Sequence, residues 1–250
     1  MARKWMRGVV AAVAVTSLVG VAGCSDGNGN GSGNGSGQGS GSGSGQGSGN
    51  GSGNGQDDGA THLQGDDIES RLAEYPLAEL TDDEVAGLVW MREEEKLAHD
   101  VYVTLGGLYD INVFANISAA EQTHTDAVLA VLTRYGIDDP AAGLAAGEFL
   151  DPTLQSLYDD LVAAGSESLV AALTVGAEIE ELDIVDLQVR ATTTPDIAFV
   201  YDNLERGSRN HLRAFTKQLD RNGASYVPTH LPQAEYDAIL AGAMEPGSGG

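Results

Sequence analysis

Glu121 and His124 stand three residues apart in the segment AEQTHTDAVLAVLTRYG, residues 120–136. The apolar stripe through this region runs Phe114, Ile117, Glu121, His124, Val128, Val131 or Leu132, and Tyr135 at helical spacing. A carboxylate and an imidazole therefore occupy places where a helix normally puts core residues. Three other segments do the same. Glu95 shares a face with Leu88 and Tyr102, one heptad either way; Glu178 and Glu181 repeat the three-residue spacing; His211 lies in line with Leu204 and Phe215. A desolvated carboxylate without a partner costs several kcal/mol or takes up a proton, and several together repel one another. Divalent cations resolve both problems, and this oxygen and imidazole donor set suits iron or manganese ions, two in this arrangement of donors.

The elements that must position these groups are helices. No run shows the period-two alternation of a strand. A first long helix is predicted from Thr81, whose TDDE gives an N-cap and an acidic first turn, to Leu105 before Gly106-Gly107. A second spans Asn112–Tyr135 and stops at Gly136. A short one covers Pro152–Ala164. A third long helix starts near Ser166 or Ser168 and runs to Ala191, where TTTPD breaks it. A fourth spans Asp196–Asn222 before Gly223, and a small helix over Gln233–Ala241 follows VPTHLP. The fold class is all-α: a four-helix bundle with additional short helices. An internal repeat relates the two helix pairs. Glu95 aligns with Glu181 at an offset of 86, and His124 aligns with His211 at an offset of 87, carrying Arg134 onto Arg221 and Gly136 onto Gly223. One Glu from each of two helices with Glu-x-x-His from the others is the dinuclear carboxylate arrangement of ferritin-like bundles.

The stretches MREEEKLAHDVY, FANISAAEQTH, GAEIEELDIVDL, GSRNHLRAF and YVPTHLPQAEYDAIL resemble the ferritin-like family catalogued as domain of unknown function 2202. The wider superfamily includes rubrerythrin-like and bacterioferritin-like proteins. The resemblance implies a metal site with Tyr102 beside its carboxylates, seven residues after Glu95, and it likens Glu178 and Glu181 to a third-helix Glu-x-x-Glu. Two positions depart from the pattern. Ser208-x-x-His211 stands where the superfamily has Glu-x-x-His, and Gln188 stands where a second Tyr often sits. Two readings stay open: Glu178 and Glu181 both ligate, or one metal position is weak or absent. Glu93 and Glu94 read as a solvated face, and His99 as a partly buried histidine outside the site. His62 and His230 fall in loop-like surroundings.

The rest of the chain concerns location. Residues 1–23 combine Arg3, Lys4 and Arg7 with a short apolar run, the pattern of a secretory signal, and VAG precedes the chain's lone cysteine, Cys24. This resembles a bacterial lipoprotein leader cleaved before a lipid-modified cysteine, so an extracytoplasmic, lipid-anchored protein is expected at the cell membrane. Residues 24–60 are rich in Gly, Ser, Asn and Gln and read as a flexible tether, with a reach of roughly 30–35 Å. The helical domain is assigned to 61–245. Losing the leader's three basic residues and no acids takes the formal charge from −24 to −27. Such a surface repels phosphate backbones, which argues against nucleic acid as a partner. Two functions compete: an oxidase, ferroxidase or peroxide-reactive protein, or a non-catalytic envelope module with one metal or none. A long tether suits a monomer or homodimer better than a closed storage shell. Replacing Cys24 by Ala should release the protein from the membrane fraction or leave its precursor unprocessed. Fractionation and migration identical to the wild type would refute the anchor.

Overall fold

The computed structural model describes the backbone of residues 65–246 and side chains from residue 68 onward. Cys24, the leader, the tether and His62 lie outside the described residues. The described residues form seven helices in order: α1 Gly65–Leu72, α2 Asp82–Gly106, α3 Asn112–Tyr135, α4 Pro152–Gly165, α5 Leu169–Val189, α6 Pro195–Arg221 and α7 Gln233–Ala241. No strand occurs among the described residues. The protein is an all-α helical bundle built on α2, α3, α5 and α6, with α1 as an additional short helix that the sequence pattern did not single out.

Local chemistry sets the helix ends. Thr81 and Glu84 form a reciprocal capping box at the start of α2. The other Glu84 oxygen accepts from the hydroxyls of Thr192 and Thr194, which ties the α5–α6 turn to α2. These hydroxyls, Thr192 first, hold Glu84 down at a pKa of about 2. Asp151 caps α4 and Ser168 caps α5, while Pro195 opens α6 with the fixed φ a first turn requires. Gly136 and Gly223, paired by the internal repeat, both follow their helices with left-handed φ of 66° and 71°.

The core falls into two apolar halves. One gathers Val101, Tyr102 and Leu105 of α2, Phe114 and Ile117 of α3, Leu173 of α5, and Phe215 and Leu219 of α6. The other gathers Leu88 and Met91 of α2, Val128 and Val131 of α3, Leu187 of α5, and Val200 and Leu204 of α6. The order in which each helix visits the halves gives the topology. α2 and α6 run from the second half to the first; α3 and α5 run the other way. Because α3 and α5 are parallel, the chain between them must return along the bundle. Residues 136–168, including α4, make that crossover, and α4 packs on α2 and α5.

The crossover changes the expected exposure of one face of α2. Glu93 and Glu94 were expected in solvent, yet both are buried. The returning chain covers Glu93, which accepts from the backbone N–H groups of Leu150 and Asp151, whereas Glu94 faces α5, where it and Asp186 both accept from the Trp90 indole.

Helices α5 and α6 approach closely at Gly176. A Cβ there would come within 2.5 Å of the Phe215 ring, and that ring is held against Tyr102 and Phe114 at centroid distances of 5.1 and 5.7 Å. Gly176→Ala should therefore destabilise the fold by about 1–3 kcal/mol through overpacking. Chemical denaturation measures this, and an unchanged midpoint would show that the ring yields freely.

Candidate metal centre

Between the two apolar halves lies a layer of polar, mostly ionisable side chains. Glu95 comes from α2, Glu121 and His124 from α3, Glu180 and Asp183 from α5, and Ser208 and His211 from α6, all of them buried. The flanking apolar residues on each helix fix this level. On α3, for example, Ile117 and Val128 bracket Glu121 and His124.

Two groups of three potential ligands form within the layer. Glu95, Glu121 and His124 bring one oxygen or nitrogen each within 4.8 Å of one another, and so do Glu121, Glu180 and His211. Glu121 belongs to both. His124 Nδ1 lies 2.8 Å from Glu121 Oε2 and 3.3 Å from Glu95 Oε2. His211 Nδ1 lies 2.7 Å from Glu121 Oε1 and 3.4 Å from Glu180 Oε2. The two imidazoles face each other at 5.5 Å between centroids with 28° between planes.

Of these short contacts, His124 Nδ1 to Glu121 Oε2 is a hydrogen bond; most of the others are not. Both oxygens of Glu95, Oε1 of Glu121, Oε2 of Glu180 and both nitrogens of His211 are buried without a hydrogen-bond partner, despite the short separations. These remaining atoms lie close together without aligning donor to acceptor. Unpartnered buried polar atoms are rare in folded proteins and costly. An arrangement of carboxylate oxygens and imidazole nitrogens with free lone pairs fits a divalent cation of the iron or manganese kind.

Electrostatics follow from the same crowding. Burial pushes Glu95 up to about 8, although His124 opposes it. Burial likewise pushes Glu180 to about 7 against His211. Glu121 is the exception. Burial works against its charge, but the two histidinium neighbours win and hold it well below the usual carboxylate range. Burial would lower both histidines, yet Glu121 carries His124 up to about 10, and Glu180 with Glu121 carries His211 to about 9. Burial also raises Asp183 well above the ordinary carboxylate value, helped by Glu95.

The structure brings some of the expected site residues together and places others elsewhere. Glu95, Glu121, His124 and His211 come together. Glu181 does not join them: it turns to the loop before α7, where Oε2 accepts from the Tyr226 hydroxyl at 2.5 Å and the Thr229 N–H at 2.9 Å, and Oε1 from the Leu231 N–H at 3.0 Å. Glu178 also lies away, 3.6 Å from His230 and 20 % exposed. Glu180 takes the α5 position instead. Its Oε1 accepts from the Tyr102 hydroxyl at 2.5 Å, so Tyr102 does stand beside a cluster carboxylate. The repeat offset for this pair is corrected from 86 to 85 residues. Ser208 is inside continuous helix, and its Oγ donates back to the Leu204 carbonyl rather than into the cluster. Gln188 is at the surface, bonded to Glu205 and Glu235. His99 pairs with Asp100 outside the layer.

Sequence reasoning missed Glu180 and Asp183. A signal existed: Glu180-x-x-Asp183 repeats the spacing of Glu121-x-x-His124.

Residues 84–243 match the sequence family described as "Uncharacterized protein domain (DUF2202)". The chain is 44 % identical over 178 residues to the uncharacterized protein MJ0754 of Methanocaldococcus jannaschii, covering 70 % of this chain and 96 % of that protein. It is similar to the crystal structure titled as the hypothetical protein MJ0754 from Methanococcus jannaschii, with a TM-score of 0.67 and 45 % identity. That match covers 68 % of this chain and 98 % of the solved one.

Without added metal, the cluster gives stability a definite pH slope. Glu95 and Glu180 keep protons in the fold that the unfolded chain releases above its ordinary carboxyl value, and the two histidines keep theirs past the ordinary imidazole value. The native state binds more protons, so stability falls as pH rises. The melting temperature of chelated protein should drop between pH 5.5 and 8.5, with each kcal/mol worth about 2–4 °C. A flat or rising profile across that window would contradict the assignment.

Proposed function

We propose that this chain, which belongs to the uncharacterized DUF2202 domain family, is a ferritin-like metalloprotein with a dinuclear iron or manganese centre. The carrying observation is the pair of ligand groups that share Glu121, placed where four helices meet and left with unpartnered donors. Glu95, Glu121 and His124 would hold one ion, and Glu121, Glu180 and His211 the other. The parallel run of α3 and α5, joined by one long crossover, supports the ferritin-like reading. The leader and Cys24 support an extracytoplasmic, lipid-anchored location.

Such metals supply reversible one-electron chemistry toward oxygen, peroxide or ferrous ion, and an oxidase, ferroxidase or peroxide-reactive role is the function we assign. The protein's own contribution is positioning. Glu121 stays ionised and lies between the two imidazoles. The Tyr102 hydroxyl holds Glu180 in orientation through Oε1 and leaves Oε2 unbonded. Apolar layers on both sides exclude water, which strengthens every interaction between the charges inside.

One observation favours a second reading, a non-catalytic envelope module with a single metal. Ser208 replaces a carboxylate, so α6 offers His211 alone. Metal content separates the two.

Protein purified without chelator should carry two iron or manganese ions per chain by elemental analysis, one for each ligand group; one ion would favour the second reading. Added ferrous or manganous ion should raise the melting temperature of chelated wild type, because an ion bound only to the native state stabilises it by mass action. Glu121→Ala and Glu180→Ala should lose most of that shift. Glu181→Ala should instead lower the midpoint alike with and without metal, by about 1–3 kcal/mol for a buried network left unsatisfied. If metal shifts the wild type no more than Glu121→Ala, the metalloprotein reading fails.

A further inference from the structure

Glu95, Glu121, Glu180 and His211 expose no surface at all. An ion that reaches them must pass through protein, and bare charge moves through a low-dielectric interior only where ligands replace its water.

Helix α5 carries a series that meets this need. Glu180, Asp183 and Asp186 recur every three residues, about 4.5 Å apart along the axis. Exposure rises along the series: Glu180 is sealed, Asp183 is 1 % exposed, and the Asp186 side chain is 28 % exposed. Helix α2 adds Glu94 beside them. The indole Nε1 of Trp90 donates at 2.9 Å to both Glu94 and Asp186, which brings the two carboxylates to one point.

Asp183 is the second observation. Both its oxygens are buried and have no hydrogen-bond partner. Glu95, Glu94, Glu180 and Glu121 all act on its charge, so it lies near both Glu94 and the cluster. Buried acids away from the cluster are satisfied. Glu93 takes backbone N–H groups, Glu181 takes Tyr226 and the 229–231 backbone, and Asp100 takes Lys96 and the Gly147 N–H. Asp183 contributes nothing comparable to stability, which points to a ligand that visits it.

We propose that Asp186, Glu94 and Asp183 form a path that conducts divalent cations from the α2–α5 surface to the buried cluster. At its outer end Arg190 pairs with Asp186 at 3.1 Å and lies over the Trp90 ring. An arriving cation must displace this guanidinium, so Arg190 sets the threshold for passage. The inference rests on the metal-centre reading, and it concerns the rate of loading, whereas that reading concerns what is bound at equilibrium.

The experiment mixes chelated full-length protein with excess Co²⁺ in a stopped-flow spectrometer and follows visible cobalt absorption. Asp186→Asn, Glu94→Gln and Asp183→Asn should each slow its appearance by about tenfold or more while reaching the wild-type amplitude, because each replaces a carboxyl group that can give up its proton to ligate the ion by an amide that cannot. Arg190→Gln should accelerate loading. Glu74→Gln, an exposed acid on the segment after α1, should leave the rate unchanged. Equal rates in wild type, Asp186→Asn and Glu94→Gln would overturn the path, as would an equal slowing in Glu74→Gln. Lost amplitude in Asp183→Asn would make Asp183 a holder of the ion rather than a step toward it, and would likewise overturn the path as drawn. A wild type that gains no cobalt band and retains no cobalt after desalting would fail at the centre itself, which is a different result from a slow path to a full one.

Discussion

The shared carboxylate of Glu121 is the constraint around which the bundle is organised. It is the one acid of the layer that stays ionised, because His124 and His211 reach it from two different helices. Glu95 and Glu180 approach the same histidines from the other two helices. Four helices must therefore meet at one level with little freedom to slide or rotate. A shift of one residue would turn a layer member by about 100° and remove it from the cluster.

Such a layer interrupts the hydrophobic core and cannot stabilise the fold by itself. Breaking a buried ion pair is costly, while replacing the whole set with apolar groups is often neutral or favourable. The stability needed to hold it comes from the apolar halves on either side. Each fully buried large side chain there, such as Leu88, Met91, Phe114 or Phe215, contributes roughly 1.5–3 kcal/mol. The close approach at Gly176 belongs to the same economy of space: it lets Phe215 pack against Tyr102, whose hydroxyl then orients Glu180.

Much of this was legible in the sequence, and the failures share a cause. Helix bounds were readable because caps and breakers are local: Thr81 with Glu84, Ser168, Pro195, Gly136 and Gly223 act within one turn of the helix they limit. Glu121 and His124 were readable because α3 keeps a polar outer face, so its apolar stripe has a phase. Helix α5 has no such phase. It is covered nearly all round, by the bundle on one side and by the 224–231 loop on another, and Glu180 and Glu181 are both fully buried. Periodicity cannot choose between neighbours on a helix without an exposed side. The solvated reading of Glu93 and Glu94 failed similarly, since the cover came from segments distant in sequence, the crossover over Glu93 and α5 beside Glu94.

Neighbouring residues of one chemical type thus take opposite parts, and the difference lies in what the rest of the chain offers them. Glu181 meets a hydroxyl and two backbone N–H groups, is satisfied, and pins the loop before α7. Glu180, one residue earlier and turned inward, keeps an oxygen unbonded beside His211. Asp183 and Glu95 keep both. Sorting buried acids by whether the fold satisfies them separates those that stabilise the native chain from those that weaken it unless a cation is present. The second set gathers at the centre of the bundle and continues in one direction, along α5 toward Asp186. A fold selected only for stability would have no reason to place its unsatisfied acids in a connected series. One that must take up a cation into a sealed interior does.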